Sequence, residues 1–255
     1  MSLGLDGRIA LVTGGTRGVG LAVAGKLAAE GCDVLLAYAG DDRDAVLAVS
    51  ELRGDPRVRG NVAAFKGDLR RPTVVRDLLE QLEREHGALD VLVHCAASLR
   101  PASAHSLHPD ELRADLDLAL TPLLADTKRL TALMTARGRG RIIAVTSIGA
   151  RRVIPAYAGL GVAKAAMESL VRYLAAELAG EGVCVNAVST GKLDKGPSNR
   201  EEDRPVIGLL AGRTPAGRLT TPADVADAVA LLCADEAAWI HGQVITVDGG
   251  LSLMA

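Results

Sequence analysis

Residues 8–31 read RIALVTGGTRGVGLAVAGKLAAEG, and three patterns meet in that stretch. Ile9 to Val12 form an apolar run of the length of a strand buried on both faces. Glycines follow at positions 14, 15, 18 and 20. Apolar residues then recur at helical spacing through Leu21, Ala24 and Ala28, with charge confined to Lys26 and Glu30. A strand, a glycine turn and a helix in that order let backbone approach a diphosphate and present helix N–H groups to its charge. The stretch predicts a nucleotide-binding unit at the start of the chain.

Working outward, six more short apolar runs follow: CDVLLAYA, VAAFKGD, LDVLVHCAA, RIIAVTS, VCVNAVS and QVITVDGG. Each reads as a buried strand, and segments of helical period such as KAAMESLVRYLAAELAGEG lie between them. The alternation predicts an α/β fold, one domain over residues 1–255, with a doubly wound parallel seven-stranded sheet and helices on both faces. Right-handed crossovers then place ligands at the carboxyl ends of the strands, where strand order reverses. Residues 190–219, TGKLDKGPSNREEDRPVIGLLAGRTPAGRL, break the rhythm with glycine, proline and mixed charge. Within them, 191–213 are expected to form a long irregular lid over the site.

Bulk properties narrow the function. A chain of 255 residues can bury a continuous core without disulfides or metal. The net charge of −2, with no basic block, points away from nucleic acid and anionic membrane surfaces and toward a small-molecule substrate. No apolar run reaches the roughly 20 residues of a membrane span. The N-terminus has no signal-peptide pattern and reads as mature from Met1, so a cytoplasmic protein is expected. Cys32, Cys95, Cys184 and Cys233 are scattered in apolar stretches and read as reduced thiols. His94 adjoins Cys95, but no further ligand cluster accompanies them, and no metal is expected.

The spacing Thr13-Gly14-x-x-x-Gly18-x-Gly20 resembles the glycine motif of the short-chain dehydrogenase/reductase family. The likeness runs over residues 7–251 and includes Asp68 in GDL, HCAA at 94–97, Ser147, Lys164, VNAVSTG at 185–191 and VDGG at 247–250. It implies a Rossmann-type fold that binds a nicotinamide dinucleotide. By that resemblance Gly14, Thr16, Arg17, Gly18, Val19 and Gly20 form the phosphate turn, and Asp68 and Leu69 border the adenine. Cys95, Ala96 and Ala97 line the cofactor's path, Lys164 holds the nicotinamide ribose, and Thr190 touches the nicotinamide amide. The resemblance also implies a homodimer or homotetramer.

Cofactor choice is read from the end of the second strand, where NAD-dependent relatives carry an acid. Here that strand ends Ala37-Tyr38-Ala39-Gly40, and the acids come later, at Asp41 and Asp42. Tyr38 is a candidate cofactor contact, and Arg17 offers a guanidinium to a 2′-phosphate. NADPH is the expected cofactor and NADH the alternative. The competing reading of Arg17 is a solvated turn residue.

The chemistry turns on SIGARRVIPAYAGLGVAK, residues 147–164. In most of the family a Ser, a Tyr and a Lys act together, with an Asn on the long central helix. Ser147 and Lys164 match by position, but Leu160 stands at the usual Tyr and Ala119 at the Asn. Tyr157 lies seven residues before Lys164, a spacing that resembles the enoyl-acyl-carrier-protein reductases of the family. VNAVSTGKLD and RTPAGRL resemble their type III, NADPH-using branch. Ser147, Tyr157 and Lys164 are the catalytic candidates. The favoured expectation is a ketoreductase of small-molecule biosynthesis, acting on a conjugated or aromatic polyketide-like ketone whose own phenol supplies the missing hydrogen bond. The alternatives are an enoyl thioester reductase with substrate carried on an acyl carrier protein, in which the Tyr157 phenol polarises or protonates the enolate oxygen, and an inert NADPH-binding regulatory protein. Tyr157 also reads as a structural ring at a helix start, and Ser147 as a cap. His105 and His108 read as surface loop residues, and Asp110 and Glu111 as an acidic helix start.

Overall fold

The structure, a computed structural model, describes residues 3–254. Met1, Ser2 and Ala255 lie outside the described residues, and so does the reading of a mature start at Met1. The chain runs β1 (Ile9–Thr13), α1 (Gly18–Ala29), β2 (Asp33–Tyr38), α2 (Asp42–Gly54), β3 (Val62–Lys66), α3 (Pro72–His86) and β4 (Val91–His94). It continues through α4 (Pro109–Leu124), α5 (Thr127–Thr135), β5 (Gly140–Ser147), α6 (Ala158–Leu178), β6 (Val183–Thr190), α7 (Arg204–Arg213), α8 (Pro222–Cys233) and β7 (Val244–Thr246). The seven strands form one parallel sheet in the order β3-β2-β1-β4-β5-β6-β7. Order reverses between β1 and β4, so their carboxyl ends flank the crevice where such sheets bind ligands.

Helices cover both faces because their apolar stripes face the sheet. On one side Leu78 and Leu82 of α3, Leu123 of α4, Leu130 of α5 and Met167 and Val171 of α6 join a single core. On the other, Val23 and Leu27 of α1 pack with Val225 and Val229 of α8. Burying each such side chain contributes about 1.5–3 kcal/mol. The α3 pattern Val75, Leu78, Leu79, Leu82 shows the local cause, with Pro72 opening the helix and Gly87 closing it at φ 66°.

Two expectations need correction. Not every strand is buried: β6 is buried throughout, whereas β3 exposes Ala63, Ala64 and Lys66 and β7 exposes Ile245 and Thr246. These are the two edges of the sheet, which no outer neighbour covers. The segment 191–213 is not irregular throughout either. It ends in α7, which buries none of its residues. Pro205 at the start of α7 fits the first turn of a helix, which is why a proline-bearing stretch can be helical here. Lys192 pairs with Asp203 at 2.7 Å, joining the two ends of the stretch that precedes α7. Among the described residues, no helix is long and apolar enough to cross a membrane.

Candidate active site

The turn after β1 is shaped by contacts that only glycine permits. Gly14 has φ 65°, and a Cβ there would lie 2.9 Å from Cα of Ala96 at the end of β4. A Cβ on Gly20 would lie 2.1 Å from the carbonyl oxygen of Gly14. Helix α1 starts at Gly18, which has φ 57°, and Arg17 in the N-cap position supplies no side-chain cap. No acid lies in its first turn. By contrast α2, α4, α5 and α8 are capped by Asp41, His108, Asp126 and Thr221. The first N–H groups of α1 are thus left for an anion. Thr16 is half-buried, and Val19 packs against the α1–α8 core. The Arg17 side chain is exposed, with no hydrogen bond or ion pair among the described residues.

On the adenosine side the acids are already engaged. The Tyr38 hydroxyl donates to Asp42 at 3.0 Å, and Lys66 reaches the same carboxylate at 2.8 Å. Lys66 first, then Tyr38, hold the Asp42 carboxyl below its ordinary range. Asp41 accepts the Arg43 N–H at 2.9 Å. Asp68 is gripped by Arg70, with Nε at 2.9 Å and Nη2 at 2.7 Å, and that guanidinium lowers its pKa. Leu69 is buried beside it.

The chemical end gathers residues from several elements. Ser147 closes β5 in register with Thr190 of β6. Its Oγ accepts the Gly149 N–H at 3.1 Å, so the cap reading holds, and its own proton remains available to donate. Tyr157 sits at the N-cap of α6. A Cβ on Gly149 would lie 2.6 Å from ring carbon Cε1 of Tyr157, and one on Gly161 would lie 3.5 Å from Cδ1. Gly149 therefore makes room for the ring, while a Cβ on Gly161 would meet it only at ordinary van der Waals distance. Ala156, just before it, holds a left-handed φ of 57°, and its carbonyl accepts the Ala102 N–H at 3.1 Å. Burial raises the Tyr157 pKa, and Ser147 opposes that shift.

Lys164 is buried two turns along α6, with its ammonium donating to the Val145 carbonyl at 2.7 Å. Burial lowers its pKa to about 8. The Cys95 thiol is pushed up to about 12 by burial and stays neutral. Leu160 and Ala119, at the positions of the missing Tyr and Asn, are both buried. Thr190 is buried with Oγ1 unpartnered. That orphan hydroxyl, the glycine cradle and the uncapped α1 fit a bound dinucleotide. Ala97 is exposed at the end of the turn that follows β4.

A family model described as Enoyl-(Acyl carrier protein) reductase matches residues 14–252. The chain is 35% identical to 1-cyclohexenylcarbonyl-CoA reductase of Streptomyces collinus, over 97% of this chain and 88% of that one. It is 30% identical to the 3-oxoacyl-[acyl-carrier-protein] reductase FabG of Escherichia coli (strain K12), over 99% of this chain and all of that one. The chain belongs to the short-chain dehydrogenase/reductase family. A solved double mutant of a Serratia marcescens member superimposes with a TM-score of 0.84 at 29% identity, covering 97% of this chain and 99% of that one. The protein is accordingly an NAD(P)H-dependent oxidoreductase.

Sequence reasoning missed one pair that matters at this site. Thr13 and His94 are register partners on β1 and β4, with Thr13 Oγ1 2.7 Å from His94 Nδ1. The Ala96 N–H donates to the same threonine oxygen at 3.2 Å. The signal was a Thr and a His ending two strands that flank the switch in strand order. His108, read as a loop residue, is the N-cap of α4, and Glu111 completes its capping box.

Proposed function

We propose that this reductase uses NADPH to reduce an α,β-unsaturated acyl thioester, with Tyr157 facing the thioester oxygen. The observation that carries the reading is the half-buried Tyr157 phenol, whose pKa burial raises and Ser147 lowers, seven residues ahead of a buried Lys164, while Leu160 offers no proton. The printed name of the Streptomyces collinus relative describes a conjugated enoyl thioester, and the matched family model carries the enoyl reductase description. This reading takes the enoyl alternative ahead of the polyketide ketone, because a phenol beside Ser147 removes the need for a substrate that activates itself.

When bound, the nicotinamide supplies a hydride to the β-carbon. The chain's own residues do the rest. Tyr157 donates a hydrogen bond to the oxygen on which negative charge develops, oriented by the Ser147 proton. Lys164 holds the nicotinamide ribose with a buried ammonium, and Thr190 Oγ1 meets the carboxamide. Arg17 pairs with the 2′-phosphate, and the uncapped start of α1 takes the diphosphate. Segment 191–213 closes over the acyl chain and excludes water. The acyl group arrives on coenzyme A or an acyl carrier protein, and the enzyme works as a homodimer or homotetramer.

A second reading is reduction of a 3-oxoacyl thioester, favoured by the Escherichia coli relative and by acetoacetyl-CoA reductases 31–32% identical to this chain. NADPH oxidation is measured with a crotonyl thioester, an acetoacetyl thioester and a hydroxylated polycyclic ketone in parallel. Turnover of the crotonyl thioester alone is expected. Turnover of only an oxo substrate overturns the enoyl reading, and NADPH binding without turnover of any of the three points to the inert binder.

A further inference from the structure

His94 closes β4 beside the switch in strand order, and its ring is fully buried. The Thr13 oxygen already accepts the Ala96 N–H, so the threonine's own proton points to His94 Nδ1. In the neutral ring Nδ1 is then the acceptor, and the ring proton sits on Nε2. Nε2 completes no hydrogen bond of its own, but the backbone carbonyls of Leu118 and Ala119 on α4 face the ring. The Leu118 carbonyl lacks its usual helical donor for a definite reason. That donor would be the N–H of residue 122, and residue 122 is Pro122, inside the helix. The proline ring also crowds that carbonyl and opens the turn.

The groups around the imidazole set its charge. Thr13 faces it from β1, backbone carbonyls from α4 and the Lys164 ammonium from α6. Burial first and then Lys164 lower its pKa to about 3, and the adjoining Cys95 thiol is neutral. A neutral donor faces a carbonyl that has lost its helical partner.

We propose that His94 is a positioning residue, held as the neutral Nε2–H tautomer, that ties the cofactor-lining turn 94–97 to the helix turn opened by Pro122. The inference rests on the nucleotide site and not on which acyl or carbonyl compound is reduced. The turn is thereby fixed on one side through Thr13 to β1 and on the other to α4. A site whose central helix carries Ala119 has no side-chain amide there to make that tie.

The test needs no substrate. Protein labelled with 15N-histidine is followed by long-range 1H–15N NMR from about pH 8 to about pH 5. One imidazole should stay neutral as the Nε2–H tautomer, disappear in His94→Asn, and be distinct from those of His86, His105, His108 and His241. A charged ring or an Nδ1–H tautomer for His94 overturns the proposal. NADPH binding by fluorescence supplies the second readout. His94→Leu should weaken it about tenfold, and His94→Asn, which can both accept and donate, should restore it to within about threefold. Pro122→Ala returns the helical N–H to Leu118 and improves helix propensity, so it should weaken NADPH binding about threefold with no loss of thermal stability. Unchanged NADPH affinity in both His94→Leu and Pro122→Ala sinks the positioning role even where stability falls.

Discussion

At the proposed phosphate end of the cleft the candidate residues are consecutive, Thr13 to Gly20, and what they offer is mainly backbone. At the proposed chemical end the candidates Ser147, Tyr157 and Lys164 come from a strand end, a helix cap and two turns into that helix, and what they offer is side chains. A diphosphate is recognised by N–H groups that any residue supplies, provided glycine leaves room, so the motif there tolerates little change. A phenol needs only to reach one oxygen. A phenol at 157 instead of 160 lies about 4.5 Å away along the helix direction, off α6 and on its cap, where Gly149 leaves room for the ring. The contrast is between a site built from backbone, which depends on where glycine leaves room, and one built from side chains, which depends on what each can reach.

The contrast is broken most directly at Tyr157. Tyr157→Phe keeps the ring against Gly149 and removes the proton, so kcat on the enoyl thioester should fall about 100-fold or more with NADPH affinity unchanged. A loss below about tenfold would move the acid to the substrate and leave Tyr157 as a wall. At the other end Arg17→Ala should cut the preference for NADPH over NADH about tenfold, read from the two dissociation constants. Equal affinities in the unaltered protein would break the assignment of the 2′-phosphate to Arg17.

Lys164 sharpens the comparison through pH. Its charge is present below about 8 and lost above, so ribose anchoring should weaken as pH rises past about 8, well before an ordinary lysine at 10.5. Stability moves the opposite way. The folded pKa lies below the unfolded value, the unfolded chain holds more protons between about 8 and 10.5, and stability should rise across that window. Lys164→Met should abolish both trends in NADPH titrations and denaturant melts. The smallest effect is local. Amides of residues 191–213 should exchange more slowly with NADPH and an acyl thioester bound than without, and strong protection in both states would remove the lid.

Much of the fold was legible because its signals are local. Seven apolar runs became seven strands, and Asp110 with Glu111 opened α4 as an acidic helix start. The edge strands misled because an apolar run states what could be buried, not what lies on its far side. The helical end of 191–213 was hidden because Gly208 and Gly212 stand inside α7 and interrupt its helical period.

The sequence by itself determined the parallel α/β architecture, the phosphate turn and the candidate trio Ser147, Tyr157 and Lys164, because backbone periodicity and glycine spacing are properties of neighbouring residues. Tertiary structure alone decided that Asp42 is held by Lys66, that Thr13 meets His94, and that Gly149 makes the space for Tyr157. Lys66 lies 24 residues from Asp42 and His94 lies 81 from Thr13. Parallel pairing across a sheet brings such residues together by register, and register is set by the packing of the whole core rather than by any stretch of chain.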